Sequence, residues 1–409
     1  MNTSLAAEFD VKQLADPTVI NRDPVISETG IAAWIAVTTN EGAAGLSDLV
    51  IYRDGSSRTL TQTSHKEFSG STKPVIHSNS IAWVAGFTDT GSDISWVLKE
   101  VIKRDEPVPE LTALYSANQD EGGNQWFEAM ITGTNAAQTN TVEEVRRHPS
   151  GADEICLWQG EGEIRRITRD SRDDYAPSVW GNMVSWQIAK GWPFGWEIML
   201  WDDGTMKQLT TNYYYDMAPK VYGSQVTWYG WDGHDFEIFL YDKSSETTLQ
   251  ITSNQYDDVS PVIAEGIIAW EGYPSAEADI FIWKDGQIRK ISDNIEDDFG
   301  PRVYGGKVVW QGFDGDDFEI YFYDGEKTVK LTSNLYDDTN PDIGSDFVCW
   351  MGYVDNWDAE IFVSDTKGAP KQLTDNEDED RDPHTAGHAV IWQVDHEGRS
   401  NIFLAEPKQ

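Results

Sequence analysis

The sequence predicts an all-β protein in which residues 1–409 form a single closed β-propeller of about nine four-stranded blades. Three observations lead to this prediction. A unit of about 40 residues recurs along the chain, each copy contains four short β-rich runs, and the two chain ends supply complementary parts of one unit. No useful length of the chain shows the apolar period of an amphipathic helix.

Each copy of the repeat has a proline, the pattern V-x-G-x-x-V-x-W, an acidic turn, the strand E-I-F-L-Y-D and the linker Q-L-T-x-N-x-x-D-D-x-x-P. The clearest copy covers residues 219–260, and further copies begin at Pro177, Pro261, Pro301, Pro341 and Pro383. The marker tryptophans of the copies are Trp34, Trp83, Trp186, Trp228, Trp270, Trp310, Trp350 and Trp392. A lone four-stranded sheet exposes both faces to water, so we expect the sheets to stack around a ring.

The chain ends indicate how the ring closes. The last copy, residues 383–409, supplies only three strand-like runs, HTAGHA, VIWQV and NIFLA. The run FDVKQLAD near the N-terminus matches the last strand and linker of a complete copy. We therefore predict that residues 8–14 form the fourth strand of the final blade.

The number of blades depends on the interval between Trp83 and Trp186, which is about twice as long as one repeat. Weak strand patterns in this interval, at residues 93–101, 109–114, 126–131 and 141–147, favour nine blades. The nine blades begin near residues 24, 74, 126, 177, 219, 261, 301, 341 and 383. The alternative is eight blades with an insertion near residues 91–150.

The composition restricts the partners that the protein can have. Seventy Asp and Glu against 31 Lys and Arg give a net charge of −39. The charge predicts no nucleic-acid partner and disfavours anionic membrane surfaces, because phosphate binding needs a basic surface, whereas a basic partner is favoured. Adaptation to a salty habitat is an alternative explanation of the acidity. No run approaches the length of a membrane span.

Two cysteines, Cys156 and Cys349, lie in apolar strand patterns far apart in the sequence, which predicts two buried thiols. Residues 1–10 show neither the basic end nor the apolar run of a secretion signal. This leaves open a cytoplasmic protein and one placed in the cell envelope or outside the cell.

The linker Q-L-T-x-N-x-x-D-D-x-x-P and the strand E-I-F-L-Y-D resemble the repeats of the TolB-type, WD40-like propellers. The resemblance covers residues 8–409 and is strongest over residues 164–409. It implies the propeller fold. The group includes binding modules of the cell envelope, and related propellers carry peptidase or polysaccharide-lyase activity, so the resemblance leaves the function open.

Two families of acidic loops should share one face of the ring. The linkers contribute Asp174, Asp216, Asp258, Asp298, Asp338 and Asp380, which we interpret as residues that cap turns, with metal binding as the alternative. The loops between the second and third strands contain the candidate metal ligands Asp232, Asp235, Asp314, Asp316 and Asp317. Calcium is the cofactor that such a carboxylate set favours, because it takes six to eight oxygen ligands.

Aromatic residues that depart from the repeat are the candidate ligand contacts: Trp192, Trp196, Trp231, Tyr273, Phe313 and Trp357. Flat rings beside carboxylates suit a carbohydrate or a cationic ligand, and the alternative is that they cover the blade tops. We find no residue pattern of a catalytic site. The sequence thus favours a non-enzymatic scaffold that binds a protein or carbohydrate partner.

A carbohydrate-active enzyme, such as a polysaccharide lyase, is the alternative function. A lyase needs a base and a cation that neutralises a uronate. The basic residues that fit are Arg146, Arg147, His148, Arg165, Arg166 and Arg169.

Overall fold

A computed structural model gives the fold. It describes residues 9–38, 46–61, 73–86, 112–119, 125–132, 153–161, 164–170, 172–190, 195–355, 358–396 and 398–408. For residues 112–119 and 125–132 only the backbone is described. The described residues contain no helix of the length and apolarity needed to cross a membrane.

Eight four-stranded antiparallel sheets form the blades. Blade 1 consists of Ile20–Ile26, Ala32–Thr38, Leu46–Arg53 and Ser56–Thr59. Blade 2 consists of Val75–His77, Ser80–Gly86, Asp153–Trp158 and Arg165–Arg166. Blade 3 consists of Asp174–Trp180, Met183–Ala189, Trp196–Asp202 and Thr205–Gln208. Blade 4 consists of Asp216–Tyr222, Gln225–Trp231, Phe236–Asp242 and Thr247–Gln250.

The remaining blades follow the same order of strands. Blade 5 consists of Asp258–Ala264, Ile267–Gly272, Asp279–Lys284 and Gln287–Lys290. Blade 6 consists of Asp298–Tyr304, Lys307–Phe313, Phe318–Tyr323 and Thr328–Lys330. Blade 7 consists of Asp338–Ile343, Val348–Asp355, Asp358–Ser364 and Lys371–Gln372. Blade 8 consists of Glu379–Ala386, Ala389–His396 and Arg399–Pro407, followed in the sheet by Phe9–Gln13.

The first strand of every blade lies at the axis of the ring. Each first strand contacts the first strands of both neighbouring blades, and these contacts run from blade 1 through blade 8 and back to blade 1. The fourth strands of blades 3, 4 and 5 are exposed along their whole length, as expected at the outer edge. The ring is therefore closed around a central channel.

The core lies between neighbouring blades. All eight marker tryptophans are fully buried. Between blades 5 and 6, for example, Ile280 and Ile282 pack in one cluster with Val308 and Trp310. Both faces of each sheet are thereby removed from water, which is the main favourable term for a fold of this type.

The predicted closure of the ring is confirmed. Residues 9–13 pair antiparallel with the last strand, from Phe9 opposite Pro407 to Gln13 opposite Phe403. The Phe9 ring packs against Phe347 of blade 7, with ring centroids 5.5 Å apart. The N-terminal strand therefore completes blade 8 and also contributes to its contact with blade 7.

The prediction of nine blades is wrong, and the alternative of eight blades with an insertion is confirmed. Asp153–Trp158 pairs directly with Ser80–Gly86, so that Cys156 lies opposite Trp83. The intervening chain is an insertion between the second and third strands of blade 2. Within it, Thr112–Gln119 and Gln125–Thr132 pair as a two-stranded sheet. Of the strands predicted there, residues 93–101 and 141–147 lie outside the described residues.

The two cysteines are buried thiols, as predicted, and lie in different blades. Cys156 belongs to the core between blades 1 and 2, and Cys349 to the core between blades 7 and 8. Burial raises the pKa of the Cys349 thiol well above its usual value.

Candidate functional site

The interblade linkers and the loops between second and third strands meet at one face of the ring, here called the linker face. The backbone N–H of Phe236, after one such loop, donates to Asp257 Oδ1 of the following linker, with an N–O distance of 3.0 Å. Two blades later, in blade 6, the backbone N–H of Phe318 donates in the same way to Asp337 Oδ1, with an N–O distance of 2.9 Å. The two predicted families of acidic loops are thus joined directly.

Aromatic side chains occupy the end of the second strand in consecutive blades. Trp231, Tyr273 and Phe313 hold equivalent positions in blades 4, 5 and 6, and each is half-buried. Trp231 and Phe313 pack edge-to-face on Phe236 and Phe318, with centroid distances of 5.3 and 5.4 Å. Each ring therefore covers the top of its own blade and leaves part of its surface on the linker face.

The other predicted aromatic contacts are arranged differently. Trp196 begins a third strand, where it packs edge-to-face on Tyr175 at 5.2 Å. Trp192 and Trp357 lie outside the described residues. The prediction of six ligand-contacting aromatics is therefore not tested, although three of the six share one structural position.

Sequence analysis missed the most exposed apolar side chains of the linker face. Tyr213, Ile295 and Leu335 are 79%, 86% and 96% exposed. Ile295 and Leu335 directly follow the asparagine of the N-x-x-D-D linker motif, and Tyr213 follows the asparagine of the related run N-Y-Y-Y-D. Sequence could have identified them, because Gln255 and Glu377 hold the same position in other copies, as expected for a residue outside the core.

Four of the five predicted metal ligands belong to two carboxylate clusters. Asp232 and Asp235 of blade 4 lie with Glu237, and one oxygen from each of the three side chains is within 4.8 Å of the others. Asp314 and Asp317 of blade 6 form the same arrangement with Glu319. Asp316 is exposed and lies outside the cluster. The two glutamates were missed because they belong to the strand pattern E-I-F-L-Y-D.

The linker aspartates have a structural role that differs from the predicted turn caps. Five of them hold the indole N–H of the tryptophan twelve residues on, with Nε1–Oδ1 distances of 2.7 to 2.9 Å: Asp174, Asp216, Asp258, Asp298 and Asp338. Asp380 holds Trp392 in the same way at 2.6 Å. Because all six are buried, they add no exposed charge to the linker face.

Burial has a marked electrostatic effect on this set of aspartates. It raises the pKa of Asp298, Asp338 and Asp380 to about 7.

The carboxylate of each linker aspartate also occupies the space that a side chain on the neighbouring strand would need. A Cβ atom at Gly312 would lie 2.2 Å from Asp298 Oδ1. The glycine two residues after the marker tryptophan is thus required by close packing.

A second group of charged residues lies inside the channel. Lys73 of blade 2 contacts Asp382 of blade 8 across the intervening blade 1, with Nζ–O distances of 2.8 and 2.9 Å. Lys73 Nζ is also 2.5 Å from His384 Nε2, and His384 Nδ1 is 2.9 Å from Asp342 Oδ2. If the ammonium donates to Nε2, the proton of the neutral imidazole lies on Nδ1 and is donated to Asp342.

The channel also contains a pair of basic residues, Lys220 and Arg302. Burial, together with the nearby charge of Arg302, lowers the pKa of Lys220 to about 8. Both residues directly follow the repeat proline, as do Asp342 and His384, whereas Val25 and Val262 hold this position in other blades. This departure from the repeat is the signal that sequence analysis overlooked.

The basic residues considered for a lyase do not assemble into a site in the described structure. Arg166 pairs with the buried Glu154, with an Nη2–Oε1 distance of 2.8 Å. Arg165 lies over the ring of Trp201 at 5.4 Å. Arg146, Arg147 and His148 lie outside the described residues.

The closed ring of eight four-stranded sheets defines the protein as a β-propeller. No family model and no curated protein matches the sequence. A solved structure of prolyl endopeptidases aligns with a TM-score of 0.55 at 9% identity, over 93% of this chain and 55% of the other. The computationally designed protein Ika8 aligns with a TM-score of 0.51 at 15% identity, over 95% and 98%.

A putative TolB from Agrobacterium tumefaciens is also among the similar structures, with a TM-score of 0.37 and 12% identity over 60% of this chain and 95% of that one. The structural neighbours therefore include a TolB-like propeller and a peptidase propeller. At these identities the comparisons show the fold alone.

Proposed function

We propose that the protein is a non-enzymatic binding scaffold whose linker face binds a basic protein partner. The observation that carries this proposal is the combination of highly exposed apolar side chains with carboxylates on one face. Ile295 and Leu335, in the linkers that follow blades 5 and 6, are 86% and 96% exposed. Apolar groups at this level of exposure, surrounded by polar residues, are typical of interaction sites.

The charges around these side chains favour a basic partner. Asp293 and Asp337 are exposed in the same two linkers, and Asp316 is exposed in the loop between them. A field of one sign steers an oppositely charged partner and increases its rate of association. The half-buried rings of Tyr273 and Phe313 extend the apolar part of this surface.

The test is a basic peptide array, with a glycan array in parallel, each screened with and without calcium. The double variant Ile295→Asp and Leu335→Asp should abolish capture of basic peptides. The matched control is Leu249→Asp with Ile288→Asp, because these residues are 52% and 48% exposed on outer strands. Equal loss in both double variants, or capture of glycans alone, would contradict a basic protein partner at the linker face.

Enzymatic action on a uronate polysaccharide is the second candidate, and the channel residues favour it over the basic residues first considered. His384 provides an imidazole held between Asp342 and Lys73, and Lys220 and Arg302 provide positive charge. An increase in the ultraviolet absorbance of unsaturated uronates, lost in His384→Ala, would support this function. Equal lyase activity in the unaltered protein and in His384→Ala would show that the channel is not the catalytic site.

A further inference from the structure

The loops after the second strands of blades 4 and 6 have the same geometry. Asp232 Oδ1 accepts the backbone N–H groups of His234 at 2.8 Å and Asp235 at 3.4 Å. In blade 6 the corresponding bonds of Asp314 Oδ1, to residues 316 and 317, measure 3.0 and 3.3 Å. In both loops Oδ1 is used by the turn, which leaves Oδ2 for another partner.

In blade 6 a lysine ammonium is that partner. Lys330, at the end of the fourth strand, places Nζ 2.5 Å from Asp314 Oδ2 and 3.1 Å from Glu319 Oε1. Its hydrogen bond, with those of the turn, lowers the pKa of Asp314 to about 2. The carboxylate cluster of blade 6 therefore holds a cation supplied by the chain itself.

Blade 4 has a glutamine where blade 6 has this lysine. Lys330 lies opposite Tyr321 in the sheet, and Gln250 lies opposite the equivalent Phe239. Among the described residues, no lysine or arginine is within ion-pair distance of the blade 4 cluster. The loop residues His234 and Asp257 lie close enough for their charges to act on Asp235.

Other blades also supply a cation to the carboxylate at this point of the third strand. Lys190 pairs with Glu197 of blade 3 at 2.6 Å, and Lys290 pairs with Asp279 of blade 5 at the same distance. Arg166 forms the corresponding ion pair with Glu154 of blade 2. Blade 4 thus departs from a pattern that its neighbours on both sides follow.

Two buried oxygens of the blade 4 cluster have no hydrogen-bond partner in the described structure. They are Glu237 Oε2 and Asp235 Oδ1, and their residues are 0% and 8% exposed. Glu237 Oε1 accepts the N–H of Asn254, at 2.8 Å. Buried carboxylates are normally paired or bound to a metal ion.

We propose that Asp232, Asp235 and Glu237 bind a calcium ion at the place where blade 6 holds the ammonium of Lys330. Calcium accepts carboxylate, carbonyl and water oxygens at about 2.3–2.6 Å, so two of its ligand oxygens lie at most about 5 Å apart. The three carboxylates meet this limit. The exposed Asp232 leaves room for water molecules in the remaining coordination positions. The proposal does not depend on a partner at the linker face.

The proposal is tested by calorimetric titration of the full chain with calcium alone, after treatment with a chelator and in KCl. Two substitutions, each giving one blade the residue of the other, are compared with the unaltered protein. Gln250→Lys supplies blade 4 with an internal ammonium and should remove one calcium site from the binding stoichiometry. Lys330→Gln removes the ammonium from blade 6 and should add one site. Residue 250 is exposed, so the first exchange should not disturb folding.

Asp232→Asn should weaken calcium binding at least tenfold, whereas the control Asp316→Asn should leave it unchanged. The proposal is overturned if Gln250→Lys binds calcium with the stoichiometry of the unaltered protein. It is also overturned if magnesium binds the blade 4 site more tightly than calcium. That result would mean that this open cluster with few protein ligands is a magnesium site.

Discussion

The hydrogen bond between a linker aspartate and a marker tryptophan gives a prediction that can be worked out in energy. Trp350 Nε1 donates to Asp338 Oδ1 at 2.8 Å, and both residues are fully buried. The indole N–H of Trp83 in blade 2 is also buried but has no hydrogen-bond partner among the described residues. A Trp-to-Phe exchange at each position therefore removes similar ring area, but it breaks a hydrogen bond only at Trp350.

The lost ring area should cost about 1–2 kcal/mol at either position. At Trp350 the exchange also removes a hydrogen bond to a charged group, which adds about 1.5–3 kcal/mol. We expect Trp350→Phe to reduce the free energy of unfolding by about 2 kcal/mol more than Trp83→Phe. The measurement is urea unfolding at pH 8, where Asp338 is mainly ionised, with equal denaturant dependence in both variants. Equal losses would refute a stabilising role for the indole–carboxylate bond.

Three further predictions follow from the same structure. Burial raises the folded-state pKa of Asp298, Asp338 and Asp380 to about 7, from the 3.8 that is usual for an aspartate. The folded protein thus binds more protons than the unfolded chain between these values, so stability should fall as pH rises from about 4 to about 7; a melting temperature that rises from pH 5.5 to pH 8 would contradict this. Removal of residues 1–14 should lower the melting temperature and promote association, seen by light scattering, because the last strand would become an open edge; a monomer of unchanged stability would show that the ring does not need this strand. Gly312→Ala should destabilise the fold because its Cβ would lie 2.2 Å from Asp298 Oδ1, whereas Gly286→Ala, with no atom within 4 Å of the added Cβ, should show only the cost of its positive φ; equal losses would reject the packing argument.

The repeat pattern predicted the propeller because every blade buries the same tryptophan and strand residues. The number of blades could not be decided in the same way. Strand-like runs near Trp126 favoured a further blade, but the strand that completes the sheet of Trp83 is Asp153–Trp158. This pairing joins residues about 70 positions apart, and local patterns do not show which distant strand satisfies an open edge.

For the candidate sites too, the sequence predicted some residues and not others. The loop aspartates of blades 4 and 6 were predicted from their position between the second and third strands. Glu237 and Lys330 were not predicted, because the residues of a strand do not show their neighbours on the next strand. The linker aspartates were interpreted as turn caps since their indole partners are visible only once the hairpin is formed. The channel residues were detectable in principle, as charged residues at a repeat position that elsewhere is valine.

Diffraction from calcium-containing crystals tests the central claim most directly, namely that calcium binds the carboxylate cluster of blade 4, which pairs with no lysine or arginine of the described residues. Electron density for one ion should appear between Asp232, Asp235 and Glu237, with calcium–oxygen distances of about 2.4 Å. The cluster of Asp314, Asp317 and Glu319 should contain the ammonium of Lys330 and no ion. Density for an ion in blade 6, or a lysine or arginine side chain seated in blade 4, would contradict the account.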